Sequence, residues 1–402
     1  MKRVFRQREF AAVILSIIGT LSICACSQAI DEIKVIDVGN AYEVRQPVMA
    51  SDYFESIEYV PLETNESSLL NGSNEIDLAP LDDRIIVLSR VVQSPENFVR
   101  SFDYEGRQLE FNAQYGRSNQ EYANLRRIIP AADELYFIQS SGIIKIYDLY
   151  GNYRGVIEPE VSIPVLNKPF LVAERTFGIL GDDVIGKTLA IDIITPEGKR
   201  IIGKPIFSYQ EEVKERAVVR NGRVLPIPSM NKSAFYMKEN EKLFFVARGV
   251  DTLYTIDDGF GSKSASYLFD YGKYAETTSF KRILSIIDTD RFLLFRALFS
   301  RDLYNPQTGY LSPPFIYDEI TGKTRILPYD SETGLNGFTN DINDDALIFY
   351  PKVCHKNKMY QVIDAIDFID IAQRSNSSKI KEVAAELTEE SNPVLVIATL
   401  KQ

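Results

Sequence analysis

The amino-acid sequence predicts an all-β protein, and three observations carry the prediction. An apolar run, a short acidic turn and a glycine recur five times. They read Phe102-Asp103-Tyr104-Glu105-Gly106, Tyr147-Asp148-Leu149-Tyr150-Gly151, Ile193-Ile194-Thr195-Pro196-Glu197-Gly198, Ile256-Asp257-Asp258-Gly259 and Tyr317-Asp318-Glu319-Ile320-Thr321-Gly322. Each fits a hairpin, because Asp bonds its own backbone and Gly supplies a positive φ between strands rich in β-branched and aromatic residues. The glycines are spaced 45, 47, 61 and 63 residues apart, and the first two spacings match a propeller blade of about 40–50 residues. The segments between turns are short, alternating or wholly apolar, and bounded by Gly, Asn, Asp or Pro. Together these observations point to a β-propeller.

The chain opens with Lys2, Arg3, Arg6 and Arg8, then the apolar stretch Phe10 to Ile23, then Cys24-Ala25-Cys26. A basic start, a short apolar core and a small residue before a cysteine describe a secretory signal. The apolar stretch is shorter than the roughly 20 residues that a membrane span needs. The ending resembles a bacterial lipobox. Cys26, preceded by small Ala25, fits that pattern better than Cys24, which follows bulky Ile23. Cys26 is thus predicted to be the first mature residue and to carry the thioether lipid. Residues 1–25 read as a signal peptide, 26–50 as a lipidated N-terminus and tether with a first strand at Ile33 to Val38, and 51–402 as the propeller.

Strand signals then follow at Ile57 to Leu62, Ile85 to Val92, Leu135 to Ile138, Ile143 to Leu149, Val184 to Ile194, Leu243 to Ala247, Leu253 to Ile256, Tyr267 to Phe269, Phe292 to Phe299 and Leu347 to Tyr350. One segment reads as a helix, Ser378 to Glu390, where Ile380, Val383, Ala384 and Leu387 repeat at helical spacing. Asn392-Pro393 ends it, and Val394 to Thr399 forms an apolar closing strand. A late strand returning to the sheet suits a ring that must close or leave an open edge.

Composition narrows the partners. Removing residues 1–25 takes away a net +3, so the formal charge goes from −11 to −14. Such acidity argues against nucleic acid, whose binders need a basic face, and against direct adhesion to an anionic membrane, which leaves the lipid as the attachment. Beyond the lipobox only Cys354 remains, so no disulfide framework forms inside the chain.

Several segments resemble the six-bladed β-propeller lipoproteins common in Bacteroides and relatives. Tyr59-Val60-Pro61-Leu62-Glu63-Thr64 is similar to that family's opening motif. Gly116-Arg117-Ser118-Asn119-Gln120-Glu121-Tyr122 resembles its Gly-Arg-x-Gly-x-Gly-Pro-x-Glu-Tyr loop without the central glycines and the proline. Asp251 to Tyr254, Phe269 to Lys273, Gly337 to Ile342 and Leu387 to Leu395 follow in the family's order. The resemblance implies six blades, a short C-terminal helix, a closing strand and a lipid anchor. It carries over no catalytic residue.

The residues offer little chemistry. Cys354-His355 invites a nucleophile and base reading, but neighbours on a strand point to opposite faces and share no proton. One Cys and one His do not make a zinc site. Asp341-Ile342-Asn343-Asp344-Asp345 begins like a calcium loop, yet its sixth position is Ala346 and its twelfth Lys352, so a solvated turn is the better reading. No cofactor or metal is expected. Asp182-Asp183, Asp257-Asp258 and Asp344-Asp345 are adjacent acids in turns, and a glycosidase would need two carboxylates across a cleft. The candidate ligand-binding residues are Arg117, Glu121 and Tyr122 in one loop, and Asn340 and Asp341 in another.

The expectation is a lipid-anchored outer-membrane protein, facing the periplasm or the cell surface, that acts as a non-catalytic binding or scaffold module for a glycan, peptide or envelope protein. Two alternatives stand beside it. One is a carbohydrate hydrolase or lyase working at the channel mouth, and the other is a docking subunit of an outer-membrane complex. After Cys26 the chain reads Ser27-Gln28-Ala29-Ile30-Asp31-Glu32. No Asp directly follows the lipidated residue, which by analogy with other lipoproteins disfavours retention at the inner membrane.

Overall fold

The computed structural model describes residues 33–70, 75–91, 96–161, 169–182, 188–208, 217–220, 223–226, 234–239, 241–247, 250–275, 282–300, 310–331, 335–343 and 346–401. The lipobox with Cys26, Asp183 and the Asp344-Asp345 pair lie outside them. The fold is a six-bladed β-propeller with few helices. Blade 1 comprises Glu75–Pro80, Ile85–Arg90, Asn97–Phe102 and Gln108–Leu109, and blade 2 comprises Leu125–Pro130, Glu134–Gln139, Ile144–Asp148 and Tyr153–Ile157. Blade 3 runs through Phe170–Ala173, Thr176–Asp182 and Thr188–Ile194, with Arg200–Ile201 and Pro205–Ser208 both pairing with the last of these. Blade 4 holds Ala234–Glu239, Lys242–Ala247, Thr252–Ile256 and Lys263–Asp270, and blade 5 holds Arg282–Asp288, Phe292–Ser300, Pro314–Asp318 and Thr324–Ile326.

Blade 6 is assembled from both ends of the chain. Val353–His355, Lys358–Ile363 and Val394–Leu400 supply three strands, and Phe54–Pro61 adds the fourth, with Val60 opposite Leu395. Five turn signals therefore serve six blades, because the last blade has no turn between its third and fourth strands. The remaining N-terminal residues also belong to the ring. Lys34–Asp37 pairs in parallel with the outer strand of blade 4. The short helix Val38–Glu43 then packs on Thr324–Ile326 of blade 5, and the backbone N–H of Thr339 donates to the Val48 carbonyl at 2.9 Å. The segment 34–61 thus passes along three successive blades.

Six apolar clusters form among the described residues, one between each pair of neighbouring blades. Phe137 and Tyr147 fill the space between blades 1 and 2, Phe295 and Phe315 that between blades 4 and 5, and Tyr360 and Leu395 that between blades 6 and 1. Each fully buried large side chain contributes about 1.5–3 kcal/mol, which accounts for how a ring without a disulfide holds together. The cluster between blades 5 and 6 is extended by two helices inserted between the second and third strands of blade 6. Ser378–Ala385 is shorter than expected, since the backbone turns at Glu386. Ala365–Arg374 was read as no helix at all, yet Ala365, Phe368, Ile371 and Ala372 are buried on one face.

The acidic turns work as expected in three cases, and in a fourth, at Thr195 to Gly198, the glycine does so without an aspartate. Asp103 Oδ1 accepts from the N–H groups of Glu105 and Arg107, Asp148 Oδ1 from Tyr150 and Asn152, and Asp318 Oδ1 from Ile320 and Thr321. Gly106, Gly151, Gly198 and Gly322 all take a positive φ. The turn after Ile256 differs. Asp257 accepts from Gly261 and Ser262, and Phe260 holds the positive φ of 53° in place of Gly259.

Candidate functional site

Alternate strands of a blade run in opposite directions. The turns between strands 3 and 4 therefore lie on one face of the ring, and the links between blades lie on the other. The two loops singled out in the sequence belong to links between blades, the first between blades 1 and 2 and the second between blades 5 and 6. The structure does not join them into one site, because each is held by its own contacts.

In the first loop Arg117 is exposed. Glu121 folds back, accepting the Ser118 N–H at 2.8 Å, and this hydrogen bond holds its carboxyl below the usual range. A Cβ on Gly116 would meet the Glu121 carboxylate at 2.0 Å, so the close fold-back requires glycine there. Beneath the loop lies Lys145, 9% exposed. Its ammonium donates to the carbonyls of Ser118 at 3.1 Å, Asn119 at 2.9 Å and Glu121. Burial pushes the Lys145 ammonium down. Tyr122 is buried, and its hydroxyl accepts from Val99 N–H at 3.2 Å and donates to the Asn97 carbonyl at 3.3 Å. Burial drives that phenol up to about 12, so it stays protonated.

In the second loop Asn340 is 2% exposed and Asp341 exposed. Asp341 accepts from the Ser51 N–H at 2.8 Å and from its hydroxyl. Asn343 donates to Tyr59 Oη and to the Ile57 carbonyl. Among the described residues of the calcium-like stretch, the Asp341 carboxylate is taken up by Ser51 and the Asn343 amide group by Tyr59 and Ile57.

On the turn face, His355 Nε2 meets Asp82 Oδ1 at 3.1 Å, and Lys356 Nζ meets the same oxygen at 2.6 Å. Cys354 Sγ instead approaches the Lys356 carbonyl at 3.6 Å. The strand Val353–His355 separates the thiol from the imidazole, so the pair cannot act as nucleophile and base. A small cleft of about 130 Å³ lies here against Tyr104 and Tyr360.

The larger opening is a cleft of about 390 Å³ along the outer edge of blade 1. It exists because the outer strand Gln108–Leu109 covers only Ser101 and Phe102 of the strand Asn97–Phe102. The uncovered backbone is capped by side chains. Tyr122 Oη bonds Asn97 and Val99 as described, and Arg100 Nη1 donates to the Val99 carbonyl at 3.0 Å. The walls are Ser67 and Gln108 on one side, and Gln114 and Tyr115 on the other. Tyr115 is 40% exposed, and Ser67 Oγ donates to Gln108 Oε1 at 2.8 Å.

Arg100 is the charge in this cleft. It faces no carboxylate among the described residues, its Nε is buried without an acceptor, and burial lowers its pKa. Its guanidinium packs near the Phe98 ring at 5.7 Å. The sequence reading missed Arg100, Tyr115 and Lys145. A signal for Arg100 was present, since Phe98, Arg100 and Phe102 share one face of a strand by simple alternation. An arginine between two phenylalanines on such a face is a charge held beside the core.

The profile of a family described as a domain of unknown function, DUF4934, matches residues 33–399. No curated protein matches the chain. Among solved structures, a protein of Bacteroides fragilis described as exported superposes with a TM-score of 0.61 at 13% identity, covering 92% of this chain and 100% of that chain. The WD40 domain of Pan2 from Neurospora crassa gives a TM-score of 0.37 at 12% identity, over 70% of this chain and 74% of its own. A DUF4623 family protein from Bacteroides eggerthii gives 0.35 at 12% identity, over 89% and 78%. No helix among the described residues is long and apolar enough to cross a membrane.

Proposed function

The chain belongs to the family described as the domain of unknown function DUF4934, and from that premise we propose a non-catalytic binding module of the bacterial cell envelope that takes an acidic glycan in the cleft of blade 1. The observation that carries this reading is Arg100, a half-buried guanidinium without a carboxylate partner in a cleft of about 390 Å³. A charged donor inside a partly desolvated cleft favours an anionic ligand group. Tyr115 offers an exposed ring for a sugar face, and Gln108 and Gln114 offer amides for hydroxyls. That chemistry fits a uronic acid or another carboxylate-bearing sugar.

A peptide strand added to the blade edge is a weaker fit. The outward groups of Asn97 and Val99 are already bonded to Tyr122 and Arg100, so an incoming strand would have to displace both side chains. The cleft lining contains no Asp or Glu, whereas glycoside hydrolysis uses two carboxyl groups. This supports binding over hydrolysis at this place. A lipid on Cys26 and an outer-membrane location are part of the proposal. They are supported by the sequence before Cys26 and by the likeness of the fold to a protein described as exported.

The test uses residues 34–402, which form a compact unit of their own. Oligomers of glucuronate and galacturonate, and their neutral counterparts, are titrated by calorimetry, with each mixture checked for new reducing ends and for unsaturated product. The expected result is binding of an acidic oligomer without product, weakened about tenfold or more by Arg100→Gln and by Tyr115→Ala. Affinity unchanged in both variants would overturn the site. Product formation would replace the binding reading with a hydrolase or lyase.

A further inference from the structure

Inside the ring, blades 5 and 6 bring two cations onto one aromatic ring. Arg296 lies on the second strand of blade 5, opposite Ser285 and Pro314, and its guanidinium carbon is 5.4 Å from the centroid of Tyr350. Lys352, whose backbone N–H donates to Tyr360 of blade 6 at 2.8 Å, places its ammonium 5.7 Å from the same centroid. We propose that Arg296 and Lys352, both set against the ring of Tyr350, form a binding site for an oxyanion group: a carboxylate, sulfate or phosphate.

The first support is the lack of any protein acceptor. Among the described residues neither cation has an ion pair or a side-chain hydrogen bond, and Arg296 Nε is buried without a partner. Asp77 on blade 1 is the acid that attracts Lys352, but it is already engaged. Its Oδ2 accepts from Arg90 Nη1 at 2.6 Å, and Arg90 also holds Glu75 at 3.1 Å and the Arg126 carbonyl at 2.6 Å.

The second support is a comparison within the same molecule. Tyr53 also has two cations over its ring, Arg291 at 5.8 Å and Arg325 at 5.6 Å. There the counter-ion is built in, because Tyr53 Oη donates to buried Asp318 at 3.0 Å and Arg325 faces Asp52 at 3.7 Å. The Tyr350 arrangement repeats the cations and the ring without the carboxylate. Two like charges drawn together cost free energy unless an anion sits between them, and this chain carries a net charge of −11, so it does not lack acids to place there.

The third support is access. The Lys352 side chain is exposed to water, yet burial among surrounding protein lowers its pKa and Arg296 pushes it the same way. An exposed ammonium is one that a small ion can reach from solvent. This site is separate from the cleft of blade 1 and does not depend on it.

The probes are sodium sulfate, inorganic phosphate and glucuronate, each titrated into residues 34–402 at constant ionic strength with chloride as the reference, with the unfolding midpoint as the readout. At least one probe should give a saturable rise beyond chloride. The identity of that probe distinguishes a carboxylate site from a sulfate or phosphate site. Lys352→Gln, at an exposed position that leaves folding intact, should weaken the effect about tenfold or more, as should Arg296→Gln, whereas Arg100→Gln should leave it unchanged. In chloride alone Lys352→Gln should unfold at a higher temperature than the parent, because a repulsion is removed. The proposal is overturned if no probe shifts the midpoint beyond chloride, or if the shift survives intact in Lys352→Gln.

Discussion

The Nδ2 amide of Asn340 donates to the hydroxyl of Tyr59 at 2.8 Å. The two residues are 281 positions apart in the chain, one in the loop before blade 6 and the other on the strand that closes that blade. Asn343 reaches the same hydroxyl at 3.1 Å. This small buried network pins the N-terminal strand to the C-terminal blade.

Asn340→Leu should therefore act on stability. It removes a buried donor to the Tyr59 hydroxyl, which is expected to cost about 1–3 kcal/mol. Urea unfolding measures the loss, and glycan titration should show no change in the folded protein.

Two glycine substitutions should separate by the space around them. Gly106 has a φ of +86°, and a Cβ there would meet the Pro61 carbonyl at 2.1 Å. Gly322 has a φ of +65°, but its nearest neighbour would be 3.9 Å away. Gly322→Ala should cost about 1 kcal/mol, the conformational penalty alone. Gly106→Ala should cost several times more, because the backbone of the closing strand must shift as well. Thermal unfolding of the two variants side by side checks the ratio.

The turn at Gly106 also indicates what was legible in the sequence. Short-range chemistry was: aspartates that bond their own turns, glycines with positive φ, and apolar strands between them. The propeller followed from the spacing of those turns, and the late strand at Val394 suited its closure. The helix Ala365–Arg374 was not read, because Ile366, Ile369 and Ile371 are β-branched and suggest strand, although Asp364 before it and Arg374 at its end are helix boundary signals. The fourth turn was misread at Gly259 because Phe260 takes the strained conformation there. Alternation with Phe98 and Phe102 marks Arg100 as a charge beside the core, but its cleft and the setting of Lys145 depend on a short outer strand and three converging carbonyls, which are facts of tertiary structure.

Stability at acid pH should depend on Glu134. Arg175 donates to both of its carboxylate oxygens and holds its pKa below the ordinary glutamate value, against an opposing effect of burial. The unfolded chain binds the proton more readily, so this contribution is complete above about pH 4.5 and fades as pH falls through the folded value. Arg175→Met leaves a largely buried carboxylate without its cation, and burial then raises its pKa. The variant should lose about 1–3 kcal/mol at pH 7 and progressively less towards pH 4. Urea midpoints across that range report it, and a loss that is constant with pH would contradict the role given to this pair.

The lipid proposed on Cys26 is open to direct labelling. In cells fed labelled palmitate, the parent protein should incorporate label and sediment with membranes. Cys26→Ser should do neither, while Cys24→Ser should behave as the parent does. Label retained in Cys26→Ser would move the anchor elsewhere.

Blade 6 takes its outer strand from residues 54–61 and the neighbour of that strand from residues 394–400. A ribosome makes the first of these long before the second, because the sequence of the other five blades lies between them. Until Val394–Leu400 is made, Phe54–Pro61 lacks its partner strand, and the growing protein exposes an unpaired strand edge next to apolar side chains. Ring closure is thus a check on completeness: a chain that lacks Val394–Leu400 has five blades and an open sixth, and its exposed edge invites aggregation or degradation.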